Sequence, residues 1–191
     1  MTQRRLPGTD ASPHSSRTQA ARSHAGAAAE KYVDHLNDLC AREGVAFVAR
    51  VGSHVKILRR FKNGHIEGVL TGSSVVDLMG WSHDGRAIAA EVKHVSTDRL
   101  KDGSEAAWRL PLARVEEHQR AMLRRCHADG GVAFVLIVHA GHAYAVPWPV
   151  VEEAITRGAA SLSRDDITPH ICDHRAPYLA RLLTPRPPGA A

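Results

Sequence analysis

The chain has 191 residues, of which 43% are apolar and 24% charged; that is enough for one domain with a real core, and it excludes global disorder. Lys and Arg number 25 against 20 Asp and Glu, and the resulting net charge of +5 suits a polyanionic partner. No apolar run reaches the ~18–20 residues of a membrane span, the opening MTQRRLPGTDASPHSS lacks the apolar segment of a secretory signal, and three scattered cysteines without a CxxC point to a reducing, cytoplasmic compartment.

Residues 1–24 carry Arg4, Arg5, Arg17 and Arg22 with no hydrophobic period, and they read as a disordered basic arm. From about Ala25 to Arg42 apolar residues recur at three and four (Ala29, Tyr32, Val33, Leu36, Leu39, Cys40), which predicts an amphipathic helix ended by Gly44. Val45–Val51 reads as a strand. Val55–Leu70 reads as a protruding hairpin with Asn63-Gly64 at its tip. A second hairpin follows, with strands Ser74–Trp81 and Arg86–Val95 joined by the turn His83-Asp84-Gly85. Residues 96–110 are polar and read as a loop or lid. Pro111 predicts a helix start, with the helix running to about Ala128. The run VAFVLIVH, 132–139, is bounded by glycines and predicts a buried strand. Ala143–Val146 returns from it, and Pro147-Trp148-Pro149 opens a short helix to about Arg157. A weak helix, Ala176–Leu183, precedes a Pro-rich end. Helices on either side of a mixed sheet make an α/β layer structure.

The second hairpin carries the chemistry. Its three-residue turn sets Ser82 opposite Arg86, and the antiparallel register then sets Asp77 opposite Glu91. Lys93 shares the face of Glu91. Opposed like charges in an apolar strand are costly. A divalent cation would compensate them; a salt-bridged surface hairpin with one solvated acid is the alternative. Leu112, Val115, Gln119, Met122 and Cys126 form one helical stripe, which turns Gln119 toward the sheet, where it would bond to water, to a substrate phosphate or simply to backbone. Glu30 flanks the apolar stripe of the first helix, as a third acid near the site or as a solvated charge. Lys56, Arg59, Arg60 and Lys62 near the first hairpin's tip, with Arg114, His118 and Arg125 as a second basic face, are candidate contacts to a polyanion such as DNA, or else solubilising surface charges. His139/His142 and His170/His174 have ligand-like spacing, but no complete zinc set is evident.

The stretch GSSVVDLMGWSHDGRAIAAEVKHV resembles the core of the PD-(D/E)xK nuclease superfamily. With Gly26-x-x-x-Glu30 upstream, and His118-Gln119, Gly130–Val138 and Tyr144 downstream, the ordered set is similar to the RecU-type Holliday junction resolvases, over about Gly26 to Ala154. Val75-Val76 stands where that family tends to carry hydroxyl residues, and the 55–70 hairpin, which would correspond to the family's stalk, looks short.

The resemblance implies a restriction-endonuclease-like core in α-β-β-β-α-β order, with 25–160 as the nuclease domain and 161–191 as a partly irregular C-terminal extension. It implies a metal-dependent, structure-selective endonuclease acting on branched DNA as a homodimer, without a membrane. Mg²⁺, or Mn²⁺ in its place, would be held by Asp77, Glu91 and the Val92 carbonyl; Lys93, Gln119 and Glu30 would complete the catalytic set. Other readings are a PD-(D/E)xK endonuclease of restriction or repair type, and a catalytically inert DNA-binding recombination accessory.

Overall fold

The computed structural model describes residues 14–52, 54–60, 66–72, 75–95 and 108–183. The elements run α1 (His14–Arg42), β1 (Ala46–Arg50), β2 (His54–Arg60), β3 (Ile66–Gly72), β4 (Leu78–Ser82), β5 (Ala87–His94), β6 (Leu110–Pro111), a 3-10 turn (Leu112–Arg114), α2 (Glu117–Ala128), β7 (Val132–His139), β8 (His142–Pro147), α3 (Trp148–Thr156), β9 (Ser161–Leu162), α4 (Arg164–Ile167) and α5 (Leu179–Leu183). No helix among the described residues is long and apolar enough to cross a membrane.

The central sheet has five strands in the order β1-β4-β5-β7-β8. Only β5 and β7 pair in parallel, across the α2 crossover; the other pairs are antiparallel. The architecture is α/β with a mixed sheet between helices, the restriction-endonuclease-like core that was expected. β5, β7 and β8 divide their side chains between two cores, whereas β1 and β4 bury theirs only on the α1 side. Val33, Leu36 and Cys40 of α1 pack with Val48, Leu78, Ile88, Ala90 and Phe134 on one side. Leu123 and Cys126 of α2, with Trp148 and Val151 of α3, pack with Ala89, Val135 and Ile137 on the other. β7 is buried along its whole length, which is why its residues show no alternation in sequence.

Several boundaries differ from expectation. α1 begins at His14, so residues 14–24 of the expected arm are helical; their Ala, Gln and Arg are good helix formers. Pro111 does not start a helix. It lies in β6, which pairs with β9, and α2 starts only at Glu117 after the 3-10 turn. Arg114 therefore lies outside α2 and forms no single helix face with His118 and Arg125. Residues 161–183 are built into the cores through Leu162, Ile167, Cys172, Tyr178, Leu179 and Leu183. The 55–70 hairpin forms as β2–β3, a sheet of its own, and its tip lies outside the described residues.

Candidate active site

β4 and β5 pair as Leu78↔Ala90, Met79↔Ala89 and Trp81↔Ala87, the register that sets Asp77 opposite Glu91. Alternation along β5 sends Ile88 and Ala90 toward α1, while Ala89, Glu91 and Lys93 point to the α2 side. Asp77 lies just before β4 rather than within the expected strand 74–81. The reason is local. β5 outruns β4, and the Asp77 side chain takes over the ladder bond, its Oδ2 accepting from the Val92 N–H at 2.9 Å. The Asp77 backbone carbonyl accepts from the Val51 N–H at 2.9 Å, which ties the same residue to the end of β1.

Glu91 is only 2% exposed. Its Oε1 accepts from Lys93 Nζ at 2.7 Å and from Gln119 Nε2 at 2.7 Å. Gln119, 9% exposed, sits in the first turn of α2, where its Oε1 accepts the Glu116 N–H at 2.8 Å as half of a capping box. The amide thus satisfies both expectations, a bond to backbone and a bond to the site. Lys93 Nζ also lies 3.4 Å from Gln119 Oε1. Burial pushes the Glu91 carboxyl up to about 7, with Lys93 pulling it down and the Asp77 carboxylate raising it. Glu91 Oε2 is buried and has no hydrogen-bond partner.

An orphaned carboxylate oxygen beside a second carboxylate is a place for a cation. Among the described residues no three His, Cys, Asp or Glu side chains gather into a protein-only metal cage. Two carboxylates fit Mg²⁺, which retains waters and takes substrate phosphates, better than they fit zinc. His139 is instead stacked on Trp108, with its Nδ1 2.9 Å from the Val95 carbonyl.

Asp77, Glu91, Val92, Lys93 and Gln119 therefore come together. Glu30 joins a neighbouring cluster: its side chain is 66% exposed and pairs with Arg50 at 3.4 Å, and Arg50 also meets Asp34 at 2.7 Å and the Glu30 carbonyl at 2.7 Å. Arg50 ends β1 opposite Leu78, one position from the Val51–Asp77 bond. Sequence reasoning passed over Arg50. Its signal was available in the acids at Glu30 and Asp34, one turn apart on a helix that must cover β1. Of the candidate DNA contacts, Lys56, Arg59 and Arg60 lie on β2, and Arg59 is exposed. Lys62 lies outside the described residues. Arg114 is exposed and donates to the His94 carbonyl at the end of β5, and His118 is exposed 3.4 Å from Glu116. Val76, in place of a hydroxyl, is fully buried, and Val75 is exposed.

A family model described as RecU, recombination protein U, matches residues 24–180. The chain belongs to the RecU family. The match begins within α1 and ends within α5, so it takes in the β2–β3 hairpin, the Asp77–Glu91 site and the C-terminal segment. The RecU family is one of Holliday junction resolvases in recombination, which act on branched DNA. A search of curated proteins gave no match.

Proposed function

We propose that this RecU protein is a Mg²⁺-dependent, structure-selective endonuclease that cuts four-way DNA junctions, with Mn²⁺ able to substitute. The observation that carries the reading is the buried, unpartnered Glu91 Oε2 beside the Asp77 carboxylate. Asp77, Glu91 and the Val92 carbonyl would hold the ion. When bound, it supplies Lewis-acid polarisation of the scissile phosphate and lowers the pKa of an attacking water.

The chain's own groups do the rest. Lys93 is held by Glu91, and its ammonium would offset the charge that develops on the phosphate during attack and orient the water. Gln119 fixes the Glu91 carboxylate through Nε2 and is itself fixed by the Glu116 N–H, so α2 sets the rotamer of the central acid. Val92 fixes Asp77 in the same way through its N–H. Glu30 acts at one remove, through Arg50, by holding α1 against the end of β1 next to Asp77.

Asp77→Asn, Glu91→Gln and Lys93→Ala should each lower cleavage of a four-way junction in Mg²⁺ by at least ~1,000-fold, with junction binding in Ca²⁺ largely retained. Full cleavage by Asp77→Asn would refute the site. Comparing junction, fork and linear duplex tests selectivity: cutting of duplex alone would indicate a restriction-type enzyme, and binding without cutting in either metal an accessory protein.

A further inference from the structure

Among the described residues α2 packs chiefly over β5 and β7, and the β1–β4 half of the sheet face that carries Glu91 and Lys93 keeps its side chains exposed. On that half lie Phe47 (49% exposed), Met79 (41%) and Trp81 (59%). They form one patch, because Phe47 is opposite Trp81 and Ala49 is opposite Met79 across β1–β4. The Phe47 and Trp81 rings lie 4.9 Å apart at an interplanar angle of 31°. A hollow lined by Ala41, Gly44, Phe47, Trp81 and His83 adjoins them. Trp81, Met79 and Asp77 follow one another along one face of one chain segment. At ~3.3 Å per residue Trp81 is roughly 13 Å from Asp77, about four stacked bases.

We propose that Trp81, backed by Phe47 and Met79, is a stacking platform for a base exposed at the crossover of a DNA junction. This rests on the reading of the Asp77–Glu91 site as a junction nuclease. The occupant follows from three points. The platform lies on the sheet face of the catalytic carboxylates, and Met79 and Trp81 follow Asp77 in the same chain segment, so DNA held at Asp77 can reach it. Three side chains expose at most a few hundred Å², short of the ~800 Å² per partner that a stable dimer buries. Aromatic rings take any base, since every base offers a π-face. When the arms of a junction are opened and no longer stacked end to end, the bases at the crossover lose a stacking neighbour, whereas those in a linear duplex do not. A ring there therefore discriminates structure, which phosphate contacts do not.

The test is equilibrium binding of the full chain to a four-way junction and to linear duplex in Ca²⁺. Trp81→Ala should weaken junction binding about tenfold and duplex binding by less than about twofold, and Trp81→Tyr should restore most of the loss. Phe47→Ala should act in the same direction with smaller effect. Equal losses on both DNAs, or none on either, would overturn the platform. So would a fall from dimer to monomer in sedimentation of Trp81→Ala, because the face would then belong to a second copy. Wild-type protein with no preference for the junction would defeat the junction-resolving reading itself. A preference kept in full by Trp81→Ala would defeat the platform alone.

Discussion

Glu91 is a carboxylate kept where charge is disfavoured. The fold holds its pKa at about 7 rather than the usual 4.5, so the native state binds the proton more tightly than the unfolded chain does. The stability that this proton confers is fully present below the unfolded value and is lost as pH rises through about 7. Glu91→Gln copies the shape of the protonated acid and cannot ionise. In a chelator the two proteins should melt together near about pH 4.5, and at about pH 8 the variant should be more stable by on the order of 2–3 kcal/mol, read as a melting temperature higher by about 5–10 °C. A difference independent of pH would mean that Glu91 is not strained by its burial. Added Mg²⁺ should raise the melting point of the wild type and leave the variant nearly unmoved. This residue was legible in the sequence because a turn of known length fixes an antiparallel register, and register fixes which acids meet. Arg50 was less so: Glu30 and Asp34, one turn apart on α1, signal a cation between them, but they lie in another layer and only the packing of α1 on β1 selects Arg50.

Between strands, Gly80 controls how closely β1 can lie to β4. A Cβ added there would fall on the Phe47 carbonyl and within 2.9 Å of the Val48 Cα, both main-chain atoms that cannot swing aside. Gly80→Ala should push β1 away, loosen the Val51–Asp77 bond and cost about 2–3 kcal/mol. Urea unfolding should show a lower midpoint with an unchanged slope. A shift below about 0.5 kcal/mol would mean that the two strands have room to spare. Elements of this kind were legible to unequal degrees. The glycine-bounded apolar run of β7 and the Asn-Gly signal of the β2–β3 hairpin depend on local chemistry, and both elements form where expected. The start of α2 does not depend on local chemistry alone. Pro111 suits a helix start, but Leu110 and Pro111 pair with Leu162 and Ser161, far along the chain, and that pairing holds the segment extended. Gln119 was placed correctly on the buried face of α2 even though the helix begins later than its stripe suggested, because the three-four spacing survives through the 3-10 turn.

At the scale of the molecule, alternating helix and strand signals were enough to predict helices on both faces of a sheet, but the closing of the α1-side core was not visible. Tyr178, Leu179 and Leu183 have little periodicity, and they become core because α1 lies beneath them: the Tyr178 hydroxyl donates to Asn37 at 3.0 Å. One chain carries one Asp77–Glu91 site, and resolving a four-way junction requires two symmetric cuts. Two sites related by a two-fold axis supply them, so a homodimer is part of the proposal. Within such a dimer each site cuts one strand, and a dimer with one inactive site should nick without resolving. Mixing wild-type chains with tagged Asp77→Asn chains and isolating the mixed dimers tests this on a plasmid bearing an extruded cruciform. Wild-type dimers should yield linear plasmid, and mixed dimers should stop at the nicked circle. Linear product at a reduced rate, with no accumulation of nicked circle, would show that each chain cuts independently and that symmetry has no part in the reaction.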